Sequence, residues 1–351
     1  MDYYVEIGGN NWASGLSIGT AWRNIEYACG NVPAGAHTIH VGAGNFIESD
    51  QCVLAEGVSI EGTGDTTIIS CSNGTYTFYL GSSTTAMHIR NIKMDGLGNG
   101  TTDHPQARAA IYCDESGNVE IDNCTFSNFY LFAVHFINYS NLGVTYSVGN
   151  KFHDNIVTNC SLMDLNDEGS GALRIDGQQT MLIYNNTMSQ ATRTIHLNGY
   201  LIKGVEGYNK DVKIYNNTLN KAPYTYTPGE WDFAIELWEC RGGIEIYDNI
   251  INNGSIDISG DAGVNAVATQ KGSYAYSVWI HDNTIGRTNM GIGDGNRGIL
   301  IEQSAEYVII ERNNNELANK LGNLISRVAA LAEKYGIQKC ENKLLKKLKS
   351  N

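Results

Sequence analysis

The chain has 351 residues, 42% of them hydrophobic, with 39 Gly, only 4 Pro, 8 Cys and a formal net charge of −13. That charge excludes a general nucleic-acid binder, which needs a basic face, and disfavours an anionic membrane surface. No apolar run reaches the roughly 18 residues of a membrane span. The many Gly suit tight turns between short strands. Taken in order, residues 3–8 read as a strand. Residues 20–28 read as a helix with Thr20 as N-cap and Trp22, Ile25 and Ala28 on its apolar face. A turn and a strand follow over 34–44. Cys52, Cys71, Cys113 and Cys124 fall in or beside predicted strands, without CxxC spacing, and read as small buried apolar residues.

From residue 89 a pattern recurs: an aliphatic residue, Asn or Asp two positions later, and an apolar residue three further on. It appears at Ile89/Asn91/Met94, Ile121/Asn123/Phe126, Ile183/Asn185/Met188, Ile214/Asn216/Leu219, Ile246/Asp248/Ile251 and Ile280/Asp282/Ile285. The steps between the isoleucines are 32, 62, 31, 32 and 34, and the 62 holds a less regular copy at Val148-Gly-Asn150 and Phe152. A fixed period near 32 means a solenoid. Each period reads as two strands, and the Asn or Asp side chains of stacked periods are expected to lie over one another at roughly 4.8 Å.

The other strand of each period also aligns: Ala110-Ile-Tyr112-Cys-Asp114, Ala133-Val-His135-Phe-Ile137, Ala172-Leu-Arg174-Ile-Asp176, Thr194-Ile-His196-Leu-Asn198, Ala234-Ile-Glu236-Leu-Trp238, Ala266-Val-Ala268-Thr-Gln270 and Gly298-Ile-Leu300-Ile-Glu302. Its second and fourth positions are apolar and must face the core; the third and fifth then share one outer wall. From 316 the chain reads as a helix, with Leu317, Leu321, Leu324, Val328, Leu331 and Tyr335 spaced as a heptad seam.

The helix, the Gly-then-strand opening and the repeat together resemble the right-handed parallel β-helix proteins of the pectate-lyase-like superfamily over about residues 3–312. The resemblance implies an all-β solenoid with an N-terminal capping helix over 1–312, and the heptad spacing adds a C-terminal α-helical tail over 313–351, as a cap or an oligomerisation segment. It implies carbohydrate as partner but no particular activity, because this fold hosts many. The segment Leu317-Ala-Asn-Lys-Leu-Gly-Asn-Leu-Ile-Ser-Arg327 resembles the start of the anticodon-binding domain of methionyl-type class I aminoacyl-tRNA synthetases. About 35 residues are too few for that bundle, and no tRNA function is implied.

The outer wall is where chemistry is expected. Consecutive periods present His135, Arg174 with Asp176, His196 with Asn198, and Glu236 with Trp238, whereas Ala268, Gln270 and Leu300 beyond them are inert. Long segments at 96–109, 161–171 and 221–233 lead into the same strands, and long loops on one side of a solenoid mark its binding face. Sugar binding suits this content: aromatic faces stack on pyranoses, while carboxylates and Arg bond hydroxyls. Trp238, Trp231, Arg193, Asn198, Tyr112 and Tyr224 are the candidate binders.

Glycoside hydrolysis needs two carboxylates. Glu236 is the candidate acid, with Asp176 or Asp232 as base. The alternative is β-elimination from a uronic acid, with His135 or His196 as base and Arg174 neutralising the carboxylate. A third reading is a non-catalytic glycan-binding spike, trimeric through the tail. No cofactor or metal is expected, except Ca²⁺ if the chemistry is a lyase. The partner is a polysaccharide rather than nucleic acid or membrane. The expected location is extracellular or cell-surface, although the chain opens Met1-Asp2-Tyr3-Tyr4 without a signal peptide.

Overall fold

The structure is a computed structural model. It describes residues 1–71, 76–97, 109–129, 131–138, 147–160, 172–190, 209–221, 233–252, 254–260, 269–286, 298–301 and 305–316. The chain divides into compact units Met1–Asn315 and Glu316–Asn351. The first is a parallel β-helix whose coils carry three strands, not the two read from the sequence. The first wall holds Cys52–Leu54, Tyr76–Leu80, Ala109–Asp114, Phe132–Ile137 and Leu173–Ile175, and then Phe233–Trp238, Ser255–Ser259 and Ile299–Ile301. The second wall includes Lys151–His153, Leu182–Tyr184, Lys213–Tyr215, Ile244–Tyr247, Val278–His281 and Ile309–Glu311. The third includes Thr125–Ser127, Ile156–Thr158, Thr187–Gln190, Thr218–Lys221, Ile250–Asn252 and Thr284–Gly286.

Register follows the apolar period. Ile60, Ile89, Ile121, Phe152, Ile183, Ile214, Ile246 and Ile280 pair strand to strand, and all are 0% exposed. The step of 62 is therefore filled by Phe152, with Asp154 two residues on and Val157 three beyond that. It is not filled by Asn150, whose buried side chain serves the turn on the other side of the wall by bonding Val119 N, Ser116 O and Gln178 Oε1.

The recurring Asn or Asp lies at the two-residue turn between the second and third walls, but its role differs from the expected one. Asn91, Asn123, Asp154, Asn185, Asn216, Asp248 and Asp282 have φ between 52° and 57°. This is the left-handed region that Asn and Asp tolerate better than other side-chain-bearing residues. The buried ladder is formed one residue later. Asn155, Asn186, Asn217, Asn249 and Asn283 are each 1% exposed. Along the ladder each backbone N–H donates to the next coil's Asn Oδ1: Asn155 to Asn186, Asn186 to Asn217, Asn217 to Asn249 and Asn249 to Asn283, all at 3.0 Å. The side chains thus satisfy turn amides that the core would otherwise bury unpaired.

Three further expectations are corrected. The helix spans Ile25–Asn31 rather than 20–28. Thr20 instead ends a 3₁₀ turn, Ile18–Thr20. The Asn24 side chain does not cap the helix; the Glu48 carboxylate does, accepting from Ile25 N at 3.0 Å and Glu26 N at 3.1 Å. Burial nevertheless raises the Glu48 carboxyl above its ordinary value, against those two backbone bonds.

The strand paired with Phe233–Trp238 is Ser255–Ser259, not 266–270. Both stretches alternate small and apolar residues, but Ile256 and Ile258 are the ones stacked on Ile235 and Leu237. Asn314–Glu316 is a strand pairing with the third wall; the heptad seam from Leu317 lies outside the described residues. Cys29, Cys113, Cys124, Cys160 and Cys240 are buried free thiols, and the Cys52 side chain is buried too.

Candidate active-site wall

Alternation places one residue of each first-wall strand away from the core. In register these are Val53, Tyr79, Tyr112, His135 and Arg174, and then Glu236, Asp257 and Leu300. Their neighbours Ile111, Cys113, Val134, Phe136, Leu173, Ile175, Ile235, Leu237, Ile256 and Ile258 all belong to the core. The expected register of Tyr112, His135 and Arg174 is therefore present. Glu236 stands in a second described stretch of the wall. Counting coils on the second wall from Ile183 through Ile214 to Ile246 puts it two coils beyond Arg174, roughly 10 Å along the axis.

The centre of the row is a buried ionic group. His135 is 3% exposed, Arg174 1% and Asp176 0%. Asp176 Oδ2 accepts from His135 Nε2 at 2.8 Å and from Arg174 Nε at 2.9 Å. The strands hold this geometry: Asp176 N donates to Phe136 O at 2.8 Å, and Asn138 N donates to Asp176 O at 3.1 Å. Phe132 packs on the His135 ring at 4.8 Å and under the Arg174 guanidinium at 5.7 Å.

Burial pushes the His135 pKa below its ordinary value, and Asp176 opposes this without reversing it. A neutral ring bonded to a carboxylate through Nε2 carries its proton there. That leaves the Nδ1 lone pair, which is buried and has no hydrogen-bond partner. Asp176 Oδ1 is likewise buried without one.

One side of this group is aromatic. Tyr112 meets His135 edge-on at 5.1 Å and stacks on Tyr76 at 4.3 Å and Tyr79 at 5.9 Å. Tyr79 Oη donates to Asp114 Oδ2 at 2.7 Å, which pushes the phenol up to about 12. On the other side are carboxylates. Glu236 is partly exposed, and Asp257 beside it is 1% exposed with Ser259 Oγ donating to its Oδ2.

The structure thus brings together Tyr112, His135, Arg174 and Asp176 of the sequence candidates, and puts Glu236 and Trp238 on the same wall. Asp232, His196, Trp231, Arg193, Asn198 and Tyr224 lie outside the described residues. Sequence reasoning missed Asp257, Tyr79 and Tyr76. Each sits in an alternating stretch, Ser255-Ile-Asp-Ile-Ser259 or Tyr76-Thr-Phe-Tyr-Leu80, that could have been aligned with the other coils.

Another group, on the second wall, has the composition of a metal site. Ligand atoms of Glu120, Asp122 and His153 lie within 4.8 Å of one another. Glu120 already meets His153 at 2.8 Å and Lys151 at 3.1 Å. Burial would raise its pKa, but these bonds prevail and hold it below the ordinary carboxylate value. Glu120 thus already has a cation in Lys151 and a hydrogen-bond partner in the His153 ring. No helix among the described residues is long and apolar enough to cross a membrane.

Solved structures share this architecture at low identity. An alginate lyase from Paenibacillus sp. str. FPU-7 is similar at 14% identity and TM-score 0.51, over 83% of this chain and 96% of that one. A pectate lyase is similar at 11% identity and TM-score 0.54, over 89% and 79%. A lacto-N-biosidase from Eubacterium ramulus is similar at 10% identity and TM-score 0.50, over 90% and 68%. A search of curated protein sequences found no match. The family model described as "right handed beta helix region" matches residues 78–285, well over half of the chain, and the protein belongs to that family.

Proposed function

We propose that this protein cleaves a polysaccharide lying along the first wall, by β-elimination at a uronic acid, with His135 as base. The observation carrying the reading is His135 itself. It is a buried imidazole with a lowered pKa, fixed through Nε2 by Asp176, with an unpartnered Nδ1. A neutral base able to take a proton at neutral pH is what elimination requires. His135 takes the C5 proton, the C4–O4 bond breaks, a C4–C5 double bond forms and the leaving oxygen is protonated. Arg174 supplies positive charge beside the base. In this reading Tyr112, edge-on to the His135 ring, protonates the leaving oxygen. Similar structures named as lyases agree with this reading, but they carry the fold; the chemistry rests on the row.

Hydrolysis is a second reading, favoured by one observation. Glu236 and Asp257 are register partners on adjacent parallel strands, so their backbones are ~4.8 Å apart. That suits a retaining pair at ~5–5.5 Å better than the wider inverting pair that Glu236 and Asp176 would make. Elimination is preferred because it also uses His135 and Arg174. A surface-bound or secreted location follows from a polymeric substrate. A trimer built through 316–351 belongs to the binding-only reading.

The test is a panel of uronic and neutral polysaccharides, followed both by ultraviolet absorbance of the unsaturated end and by reducing ends. Unsaturated ends are expected, with turnover in His135→Gln falling by about 10²-fold or more. Reducing ends without unsaturation, lost in Glu236→Gln, would establish hydrolysis instead. Binding without any new ends would leave a glycan-binding surface.

A further inference from the structure

Resting on the elimination reading, a further residue belongs to the surroundings of the base. Phe132 opens the strand that carries His135. Counting back by twos from the inward-facing Phe136 and Val134 would send it into the core. It is buried, at 6% exposure, yet lies outside the core cluster. The backbone explains the departure. Ala133 N and Val134 N both donate to Ala172 O, at 2.8 and 3.3 Å. Two residues of this strand thus face one of the next, which is a β-bulge, and both belong to the core. The alternation slips by one at that point, and Phe132 falls on the outer wall with His135.

There its ring meets the His135 imidazole at 4.8 Å with a tilt of 47°, and the Arg174 guanidinium stands over its face at 5.7 Å. The same position one coil back is Ala109, and two coils back Tyr76, whose ring stacks on Tyr112 at 4.3 Å. The bulge therefore supplies a second outward column beside the row, and next to His135 that column holds an aromatic ring.

An apolar ring against the imidazole displaces water that would otherwise hydrogen-bond Nδ1, which is buried without a partner. Its face also seats the guanidinium, whose Nε donates to Asp176 at 2.9 Å. Among the described residues, the charged and titratable groups around His135 are Asp176 and Arg174 on one side and Tyr112 and Asp114 on the other. Burial is the largest influence and disfavours the charged ring; Asp176 opposes it, Arg174 adds to it and Asp114 opposes it. Phe132 supplies part of that burial.

We infer that Phe132 is a positioning residue for the proposed base. Its ring excludes water from the His135 imidazole and holds the Arg174 guanidinium beside it, so that the Nδ1 lone pair stays free for the substrate proton.

The test reads His135 directly, without substrate. ¹⁵N-labelled protein is titrated with pH by NMR, and the His135 signals are identified by their loss in His135→Gln. In the wild type the ring is expected to be neutral at neutral pH with its proton on Nε2. In Phe132→Ala water reaches the ring, and the titration midpoint is expected to move upward. In Phe132→Leu, which keeps most of the apolar volume, midpoint and tautomer are expected to stay close to wild type. Unsaturated ends are expected to form about 10-fold or more slowly in Phe132→Ala, with the acid limb of the rate profile moved upward, and within about 3-fold of wild type in Phe132→Leu. Should Phe132→Ala lose the wild-type melting transition, Phe132→Val replaces it, removing the ring but keeping a strand-forming residue. An unchanged midpoint in the ring-deleted variant overturns the inference. So does a Phe132→Leu midpoint displaced as far as that of the ring-deleted variant, since apolar bulk would then not be what excludes water. Absence of unsaturated ends on every polymer, with the titrations moving as expected, would remove the elimination reading and leave the role of Phe132 at His135 standing.

Discussion

At the scale of one residue, burial and a neighbouring carboxylate act on His135 in opposite directions, and burial prevails. The folded pKa therefore lies below the unfolded value near 6.5. The sign follows: between the two values the unfolded chain binds a proton that the folded chain refuses. Stability from the neutral ring is complete above about pH 6.5 and is lost as pH falls through the folded pKa. The wild-type melting temperature should decline as pH is lowered from about 6.5. In His135→Gln that acid-side decline should be shallower; identical acid slopes would show that His135 does not titrate in this window. Turnover should keep its plateau down to a lower pH than an ordinary histidine allows. His135, Arg174 and Tyr112 were legible because each sits between two apolar residues. Asp257 has the same flanks. It was overlooked because 266–270 also alternates, and only three-dimensional pairing shows which stretch stacks on Ile235 and Leu237.

At the scale of the element, the turn between the second and third walls explains why the sequence pattern was visible yet displaced by one position. A left-handed residue and an inward-facing residue follow each other, and the chain uses Asn for both in Asn185-Asn186 and Asn216-Asn217. The pattern locates the turn, but composition alone cannot tell which Asn is buried. The two positions should respond differently. Asn217 Nδ2 bonds Ile183 O, Tyr215 O and Asn249 Oδ1, while its Oδ1 accepts from Asn186 N and Nδ2. Asn217→Ala strands several buried groups at once and should cost about 2–4 kcal/mol. Asn216→Ala keeps the ladder and strains only the backbone at φ 55°, so it should cost about 1 kcal/mol, and Asn216→Gly close to nothing. Urea unfolding of the three variants separates the roles. Equal losses at 216 and 217 would mean that the ladder adds nothing beyond the turn.

At the scale of the whole molecule, each coil buries its apolar residues only against the coils beside it, so position along the axis decides what a substitution costs. Ile214 and Ile310 have the same place in their coils and the same neighbours in kind. Ile214 is sandwiched between Ile183 and Ile246 and is 0% exposed, whereas Ile310 stacks on Ile280 and is 47% exposed. Truncating Ile214 removes contacts on both sides in a rigid interior and should cost about 2–5 kcal/mol. Truncating Ile310 removes roughly half as much burial where neighbours can relax, and should cost no more than about 1.5 kcal/mol. Hydrogen exchange adds a test that a single stability value cannot provide. Amides of Ile309–Glu311 should exchange well before those of Lys213–Tyr215 in the wild type, because among the described residues the first strand pairs on one side only and the second on both. Ile214→Ala should then speed exchange in Leu182–Tyr184 and Ile244–Tyr247 together, on both sides of the lesion. Uniform protection along the axis, unchanged in both variants, would mean that the solenoid opens only as one unit and that the nearest-neighbour account of its stability is wrong.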